Sequence, residues 1–270
     1  MLLNGPLRRL GRPFLPWVLV GVLVSTGGVA NAAPLALSEV LGSWSNERSP
    51  SDVIDGISSA ASTTTWQLKT VDSEAVIWTG GNRNGSLVSD FIPSGDYLFS
   101  GQFSAVADGD NDLVGFVFGW TSHDETHFTA WGGDPADQWN GNYYLSDRSG
   151  TSYSNLLQTH SHWTATTWYD FSVERTGSTY RVTTSQGGTP IIDHSFTDTT
   201  LGSGRVGLQV YSQASYFRNL SFIPEPSTAW LLGIGLMGLA MRGRRDEPLR
   251  SDCAIVGPHD FPKRYSKQVS

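Results

Sequence analysis

The chain has 270 residues, enough for one large all-β domain or two small domains. It contains 30 glycines and 11% aromatic residues, and only 16% of its residues are charged, a composition that favours a strand-rich exported domain and excludes a disordered chain. Residues 33–226 include 21 acidic and 8 basic residues, a net charge near −13, which argues against nucleic acid or anionic lipid as a partner and favours divalent cations.

Residues 1–32 have the pattern of a signal peptide. Basic residues precede an apolar run, and small residues follow it at the cleavage position. These features are Arg8, Arg9, Arg12, the run 14–24 and Ala30-Asn31-Ala32. We therefore predict that residues 33–222 form an exported domain.

Short alternating segments predict β-strands from residue 66 onward. Two strand candidates, Trp66–Leu68 and Ala75–Trp78, flank an acidic turn. The segment Tyr97–Ala107 then alternates between apolar and polar residues, which predicts a strand with one buried face.

The segment Leu113–Trp120 is apolar at nearly every position. A strand with two apolar faces is expected in the middle of a sheet. We expect it to pair with the strand 97–107 across the turn Asp108 to Asp112.

Two pairs of strands are predicted near the end of the domain. Trp168–Arg175 and Thr179–Thr184 flank Thr176-Gly177-Ser178, a glycine-bearing hairpin loop. Arg205–Tyr211 and Ser215–Phe222 are expected to form a closing pair. Because no long amphipathic helix interrupts these strands, the sequence predicts a single antiparallel β-sandwich.

Several of these strands resemble the thrombospondin C-terminal domain. The resemblance covers roughly residues 90–222, matches poorly over 134–165, and is carried by Val114-Gly115-Phe116-Val117-Phe118-Gly119-Trp120, Gly204-Arg205-Val206-Gly207 and Phe217-Arg218-Asn219-Leu220. It implies an all-β, antiparallel jelly-roll sandwich of the concanavalin A-like type. It also implies that Asp108, Asp110 and Asp112 take part in calcium binding.

The chemistry of this turn is compatible with calcium. Calcium takes six to eight oxygen ligands, and three carboxylates lie within five residues, with Asn111 as a further candidate ligand. The alternative is a solvated turn, because aspartate, asparagine and glycine are common in turns.

Aromatic residues between positions 131 and 168 are candidates for carbohydrate binding, because exposed rings stack on sugar faces. Trp139, Tyr143 and Tyr144 lie in or beside a loop rich in glycine, asparagine and aspartate, and we expect them to be exposed. The alternative is that several of these rings fill the core.

No catalytic motif is complete. His123 and His127 are separated as in zinc proteases, but aspartate follows His123 where glutamate is required. The paired-carboxylate spacing of glucanases is absent as well. We therefore predict no enzymatic activity, with a polysaccharide hydrolase or lyase with an unrecognised site as the rival.

Residues 223–245 resemble the PEP-CTERM sorting signal. The resemblance lies in Pro224-Glu225-Pro226, an apolar segment and an arginine cluster formed by Arg242, Arg244 and Arg245. It implies temporary retention in the inner membrane, processing by an exosortase, and delivery to the cell surface or extracellular matrix. A polar tail follows at 246–270; it contains Cys253, the only cysteine, so the exported domain has no disulfide.

Together these features predict a calcium-binding adhesion or carbohydrate-binding module associated with exopolysaccharide. A passive structural protein of the matrix is the other alternative.

Overall fold

The computed structural model describes residues 34–54, 64–81, 83–107, 112–133, 141–201 and 204–224. The chain divides into two units, Met1–Ala33 and Pro34–Ser270, and all described residues belong to the second. They form two helices, α1 (Leu37–Ser43) and a 3-10 helix, η1 (Pro50–Val53). The described strands are β1 (Ser45–Glu47), β2 (Gln67–Val71), β3 (Glu74–Thr79), β4 (Asn84–Val88), β5 (Tyr97–Ala105), β6 (Leu113–Ser122), β7 (Glu125–Trp131), β8 (Asn142–Ser149), β9 (Ser152–His160), β10 (Tyr169–Thr176), β11 (Thr179–Gln186), β12 (Thr189–Thr197), β13 (Arg205–Tyr211) and β14 (Ser215–Pro224).

The strands form two seven-stranded sheets. Sheet A has the order β1-β4-β13-β6-β7-β8-β9, and sheet B has the order β12-β11-β10-β5-β14-β3-β2. Pairings between neighbouring strands are antiparallel in both sheets. The predicted all-β fold, an antiparallel β-sandwich, is therefore confirmed.

Aromatic side chains join the two sheets. Phe116 of β6 stacks on Phe171 of β10 with ring centroids 4.6 Å apart, and Trp131 of β7 meets Tyr169 of β10 edge-on at 4.7 Å. All four rings are buried. Since burying a large apolar side chain contributes about 1.5–3 kcal/mol, this interface is a main source of stability.

Two hairpins agree with the sequence. The turn between β10 and β11 contains Gly177 with a φ of 60°, and the register continues from Thr176 opposite Thr179. The turn between β2 and β3 places Asp72 and Ser73 at φ values of 50° and 69°. Short polar residues tolerate this left-handed backbone, which suits a two-residue hairpin.

Two predicted strand pairings are wrong. β5 pairs with β10 and β14 in sheet B, whereas β6 pairs with β7 and β13 in sheet A. β13 and β14 likewise belong to different sheets. Alternation along a strand indicates which face is buried but does not identify the neighbouring strand, so the two connections cross between the sheets instead of closing hairpins.

A segment between β1 and β2 explains why β6 is apolar on both faces. Residues 48–54, here called the cover segment, lie on the outer face of sheet A, where Val53 and Ile54 pack against a second buried cluster. This cluster consists of Val88, Leu113, Val117, Trp120, Phe128, Ala130, Tyr144 and Tyr211. Sheet A is thus buried on both sides over its central strands.

A buried ion pair anchors the cover segment. The Asp52 side chain is 1% exposed and accepts hydrogen bonds from Arg148 of β8 and from Arg48. Arg148 also donates to the Pro50 carbonyl oxygen at 2.8 Å. Burial alone would raise the pKa of Asp52, but hydrogen bonds from His123, Arg148 and Arg48 and the charge of Arg148 lower it to about 2.

Among the described residues, none of the helices has the length and apolar character needed to cross a membrane. The predicted apolar sorting segment at 228–241 lies outside those residues.

The ion pair makes stability dependent on acid pH. Asp52 has a pKa of about 2 when folded and 3.8 otherwise, so its stabilising contribution is present above pH 4 and is lost as the pH falls through 2. We expect about 2 kcal/mol of the free energy of unfolding to be lost between pH 7 and pH 2, more than half of it between pH 4 and 2.5. Urea unfolding at pH 7, 4 and 2.5 measures this decline.

The variant Asp52→Asn tests the assignment. It should lose about 3 kcal/mol at pH 7, because Arg148 loses its buried partner and keeps only Asp124, whose side chain is 57% exposed. Its stability should also fall less between pH 4 and 2.5. Asp193→Asn, in an exposed pair with Arg181, is the control and should differ little from wild type. Equal acid sensitivity in wild type and Asp52→Asn would contradict the assignment.

Candidate functional site

The predicted calcium ligands are mostly outside the described residues. Asp108, Asp110 and Asn111 are not among those residues, and Asp112 is buried at the start of β6, where its backbone carbonyl accepts a hydrogen bond from Trp163 Nε1 at 3.3 Å. No group of three histidine, cysteine, aspartate or glutamate side chains within the described ranges is arranged to hold a metal. Calcium binding by this turn therefore stays a prediction.

The predicted exposure of Tyr143 and Tyr144 is wrong. Their exposed fractions are 1% and 8%, and they point to opposite sides of β8. Tyr143 lies between the sheets, with its hydroxyl 3.3 Å from that of Thr184, and Tyr144 belongs to the cluster on the outer face of sheet A. Both faces of β8 are covered, so neither ring is available to a sugar; Trp139 lies outside the described residues.

The histidines at 123 and 127 do not converge. His123 follows the end of β6 and lies 3.3 Å from Asp52, on the outer side of sheet A. His127 is in β7 and contacts Phe118, Tyr180 and Phe196 on the inner side. The two imidazoles therefore lie on opposite sides of sheet A.

The outer face of sheet B carries a row of partly exposed aromatic residues. Tyr216 of β14 lies opposite Trp78 of β3 and opposite Ser104 of β5. Trp168 directly precedes Tyr169, the first residue of β10, which pairs with Phe103 of β5. Trp168 therefore lies beside Ser104. Trp78, Tyr216 and Trp168, here called the aromatic row, are all half-buried, and together they cross four adjacent strands.

Two cations hold the outer rings in place. The guanidinium of Arg218 lies 3.8 Å from the ring centre of Trp168, and Lys69 Nζ lies 3.1 Å from that of Trp78. Such cation–π contacts contribute about 0.5–2 kcal/mol. The rings are therefore fixed before any ligand arrives, which lowers the entropy lost on binding.

A line of hydrogen-bonded polar groups runs beside the aromatic row. Gln102 Nε2 donates to Asp170 Oδ1 at 2.7 Å, and Arg218 Nε donates to Gln102 Oε1 at 2.8 Å. Asp170, Gln102 and Arg218 lie opposite one another on β10, β5 and β14, and we call them the polar row. Arg218 also pairs with Glu74.

The two rows combine the features that sugars require. Aromatic rings offer apolar surfaces for the faces of pyranose rings, and fixed carboxylate, carboxamide and guanidinium groups can bind hydroxyls. This arrangement could not be predicted from the sequence, because its residues come from separated strands. The alternating pattern of β5 did indicate which of its residues face outward.

A second polar cluster lies at the end of the sandwich. His127 Nε2 donates to Asp198 Oδ2 at 2.9 Å, and His127 Nδ1 lies 3.5 Å from Asp147 Oδ1 without a hydrogen bond. Asp147 faces a cleft of about 330 Å³ that is also lined by Glu125 and Thr200. His127, Asp147 and Asp198 are here called the imidazole cluster.

Burial and hydrogen bonds set the charges in the imidazole cluster. Burial lowers the pKa of His127 and raises the pKa of Asp147. Burial acts on Asp198 as well, but hydrogen bonds from Thr200 and Leu201 outweigh it and lower the pKa of Asp198 to about 2. Because Asp198 stays ionised, it fixes the proton of a neutral His127 on Nε2.

Comparison with protein-family models identifies the C-terminal segment. Residues 222–245 match the PEP-CTERM protein-sorting motif. The chain is therefore an antiparallel sandwich followed by an export-sorting signal, and the resemblance predicted from Pro224, Glu225, Pro226 and the arginines is confirmed. Pro224 ends β14, whereas Glu225, Pro226, Arg242, Arg244 and Arg245 lie outside the described residues.

Solved structures with a similar arrangement include three sugar-binding proteins or modules. Carbohydrate-binding module CBM66 from Bacillus subtilis shares 12% identity at a TM-score of 0.45, covering 60% of this chain and 94% of that one. The Ca²⁺/Man-bound exoplasmic/lumenal domain of VIP36 shares 12% sequence identity at a TM-score of 0.46, and the match covers 66% of this chain and 89% of that one. The metal-free form of lectin I-B4 from Griffonia simplicifolia shares 8% sequence identity at a TM-score of 0.41, and the match covers 60% of this chain and 92% of that one.

These low identities and TM-scores give no information about the ligand of this chain. Comparison with curated proteins gave no match.

The buried imidazole should titrate below the ordinary range. His127 is 2% exposed, and burial lowers its pKa, whereas the reference, a free histidine side chain, has a pKa near 6.5. An NMR titration of the imidazole signals should show His127 protonating at lower pH than this reference. Because unfolded histidine takes up a proton near pH 6.5, His127 should make the protein less stable as the pH falls through that value. Titration of His127 at or above the reference value would contradict its burial as neutral imidazole.

Proposed function

We propose that this chain is a surface-sorted glycan-binding module whose binding surface is the aromatic row and polar row of sheet B. The observation that carries the proposal is the fixed line of half-buried rings, Trp78, Tyr216 and Trp168, beside hydrogen-bonded polar groups on the outer face of sheet B. The module binds without catalysis. Its ligand is a polysaccharide of the extracellular matrix.

The sorting signal supports the cellular part of the proposal. The PEP-CTERM motif at 222–245 implies export and processing by an exosortase. Retention in the inner membrane before processing and delivery to the cell surface or matrix afterwards would place the sandwich among exopolysaccharides. A binding surface for extended sugars fits that location.

The shape and charge of the face support a polymer ligand. The aromatic row crosses four strands, and neighbouring strands lie about 4.8 Å apart, so several sugar units can lie along it. The polar row contains one cation and one carboxylate joined through Gln102. This balance favours a neutral or weakly charged polymer.

Affinity electrophoresis tests the proposal directly. The protein is run through gels containing xylan, mixed-linkage β-glucan, dextran or alginate, and retardation in at least one polymer is expected. Trp168→Ala and Tyr216→Ala should each weaken binding about 10- to 100-fold, because a sugar-covered ring loses about 1.5–3 kcal/mol of buried apolar surface.

The control is Arg181→Ala on β11, which should bind as wild type, because it lies opposite Glu174, at the far end of β10 from Trp168. Circular dichroism confirms that each variant is folded. The retained polymer should release no reducing ends during incubation. Loss of binding in the control but not in the row variants would overturn the site. Release of reducing ends that Asp147→Asn abolishes would favour the rival hydrolase.

We further propose that calcium binds the turn between β5 and β6. The support is the sequence: three carboxylates in five residues would repel one another without a cation. The turn also connects sheet B to sheet A, so a bound ion would hold the two strand ends together. Asp108, Asp110, Asn111 and a backbone carbonyl are the expected ligands, with buried Asp112 contributing from the start of β6.

Thermal unfolding with calcium and with excess chelator tests this site. Calcium at about 100 times its dissociation constant should stabilise the protein by about 2.7 kcal/mol, because it binds only the folded state. The double variant Asp108→Asn/Asp110→Asn should lose this effect and leave buried Asp112 intact. Asp90→Asn, outside the turn, should retain it. An unchanged wild-type midpoint in millimolar calcium would refute the site.

A further inference from the structure

The four edge strands of the sandwich differ sharply in how they are protected against pairing. Three carry the features that prevent association with another strand. β1 has only three residues and includes Glu47, β2 has five and includes Lys69, and β12 contains Pro190 and Asp193.

The fourth edge strand, β9, lacks these features. It spans nine residues, Ser152–His160, and contains neither proline nor an acidic residue, lysine or arginine. Six of the nine residues are exposed, so the free edge is accessible. One bulge, at Leu156, interrupts its pairing with β8.

A free edge strand has backbone donors and acceptors that only another strand can satisfy in regular order. β9 is the last strand of sheet A in the described chain. Tyr153 and Gln158 are exposed along it, and Leu157 is half-buried. A partner strand would therefore gain both backbone hydrogen bonds and some apolar contact.

The distribution of charged residues favours a second copy of the chain as the partner. The exported part of the chain has a net charge near −13, so two copies repel each other over most of their surface. β9 contains no acidic residue, lysine or arginine, so pairing it with a second β9 places no such like charges opposite each other. A strongly basic partner would instead be drawn to the acidic surfaces elsewhere.

We propose that β9 is a dimerisation edge, where two copies of the chain pair their β9 strands antiparallel about a two-fold axis. An antiparallel strand pairs with an identical strand in a closed, isologous contact. The two seven-stranded A sheets would then join into one sheet of fourteen strands. Both B sheets stay free, so the dimer presents two aromatic rows to one matrix and gains from bivalency.

The interface is small, so its affinity should be moderate. Two nine-residue strands bury an area at the low end of specific interfaces. We expect a dissociation constant on the order of micromolar, and no growth beyond the dimer because pairing uses up the edge.

Sedimentation velocity of the full chain between about 1 and 100 μM tests the proposal. Wild type should shift from monomer to dimer over this range. Ser154→Lys/Gln158→Lys, which places two charges on the exposed edge, should weaken dimerisation at least tenfold with an unchanged melting temperature. Ser195→Lys, on the protected edge β12, is the matched control and should dimerise as wild type.

Hydrogen exchange gives a second readout that does not depend on a variant. Amides of β9 should become more protected between 1 and 100 μM, whereas those of β12 should not. A monomer throughout this range, a dimer equally stable in both lysine variants, or protection that does not rise at β9 would overturn the proposal. Association that continues beyond the dimer would also contradict it.

Discussion

The buried ion pair between Asp52 and Arg148 determines which surfaces of the protein are available. It fixes the cover segment on sheet A, where Val53 and Ile54 complete a second apolar cluster. Two charges removed from water are costly unless they are paired and hydrogen-bonded, and here the Pro50 carbonyl and Arg48 complete the pairing. The central strands of sheet A are consequently covered on both sides.

This asymmetry between the sheets shapes the functional interpretation. Rings that the sequence suggested for sugar binding, Tyr143 and Tyr144, lie in strands with two covered faces and contribute to stability instead. No such cover segment lies over the aromatic row of sheet B in the described chain, and its three rings remain partly exposed. Its aromatic row is fixed by Arg218 and Lys69, which makes the face rigid as well as accessible.

The sequence allowed the fold class, several strands and the sorting signal to be predicted, because alternation, turn residues and the Pro-Glu-Pro segment are local signals. It did not reveal that β5 and β6 belong to different sheets, since pairing partners depend on long-range packing. The prediction that Tyr143 and Tyr144 are exposed was wrong for the same reason. The outer face of β8 is buried under a cover segment that lies about ninety residues earlier in the chain. The aromatic row has no local signature, because its members come from three separated parts of the chain.

The central claim is that ligands meet the outer face of sheet B and not the covered face of sheet A. Titrating a polymer fragment such as xylohexaose, or an oligosaccharide of whichever polymer is retained, against the protein tests it by NMR of the tryptophan indole N–H signals. Our interpretation predicts that the signals of Trp78 and Trp168 shift with saturation, whereas those of Trp131 and Trp163, buried near sheet A, do not. Shifts confined to tryptophans of sheet A, such as Trp120, would contradict it and would mean that the cover segment opens to admit the ligand.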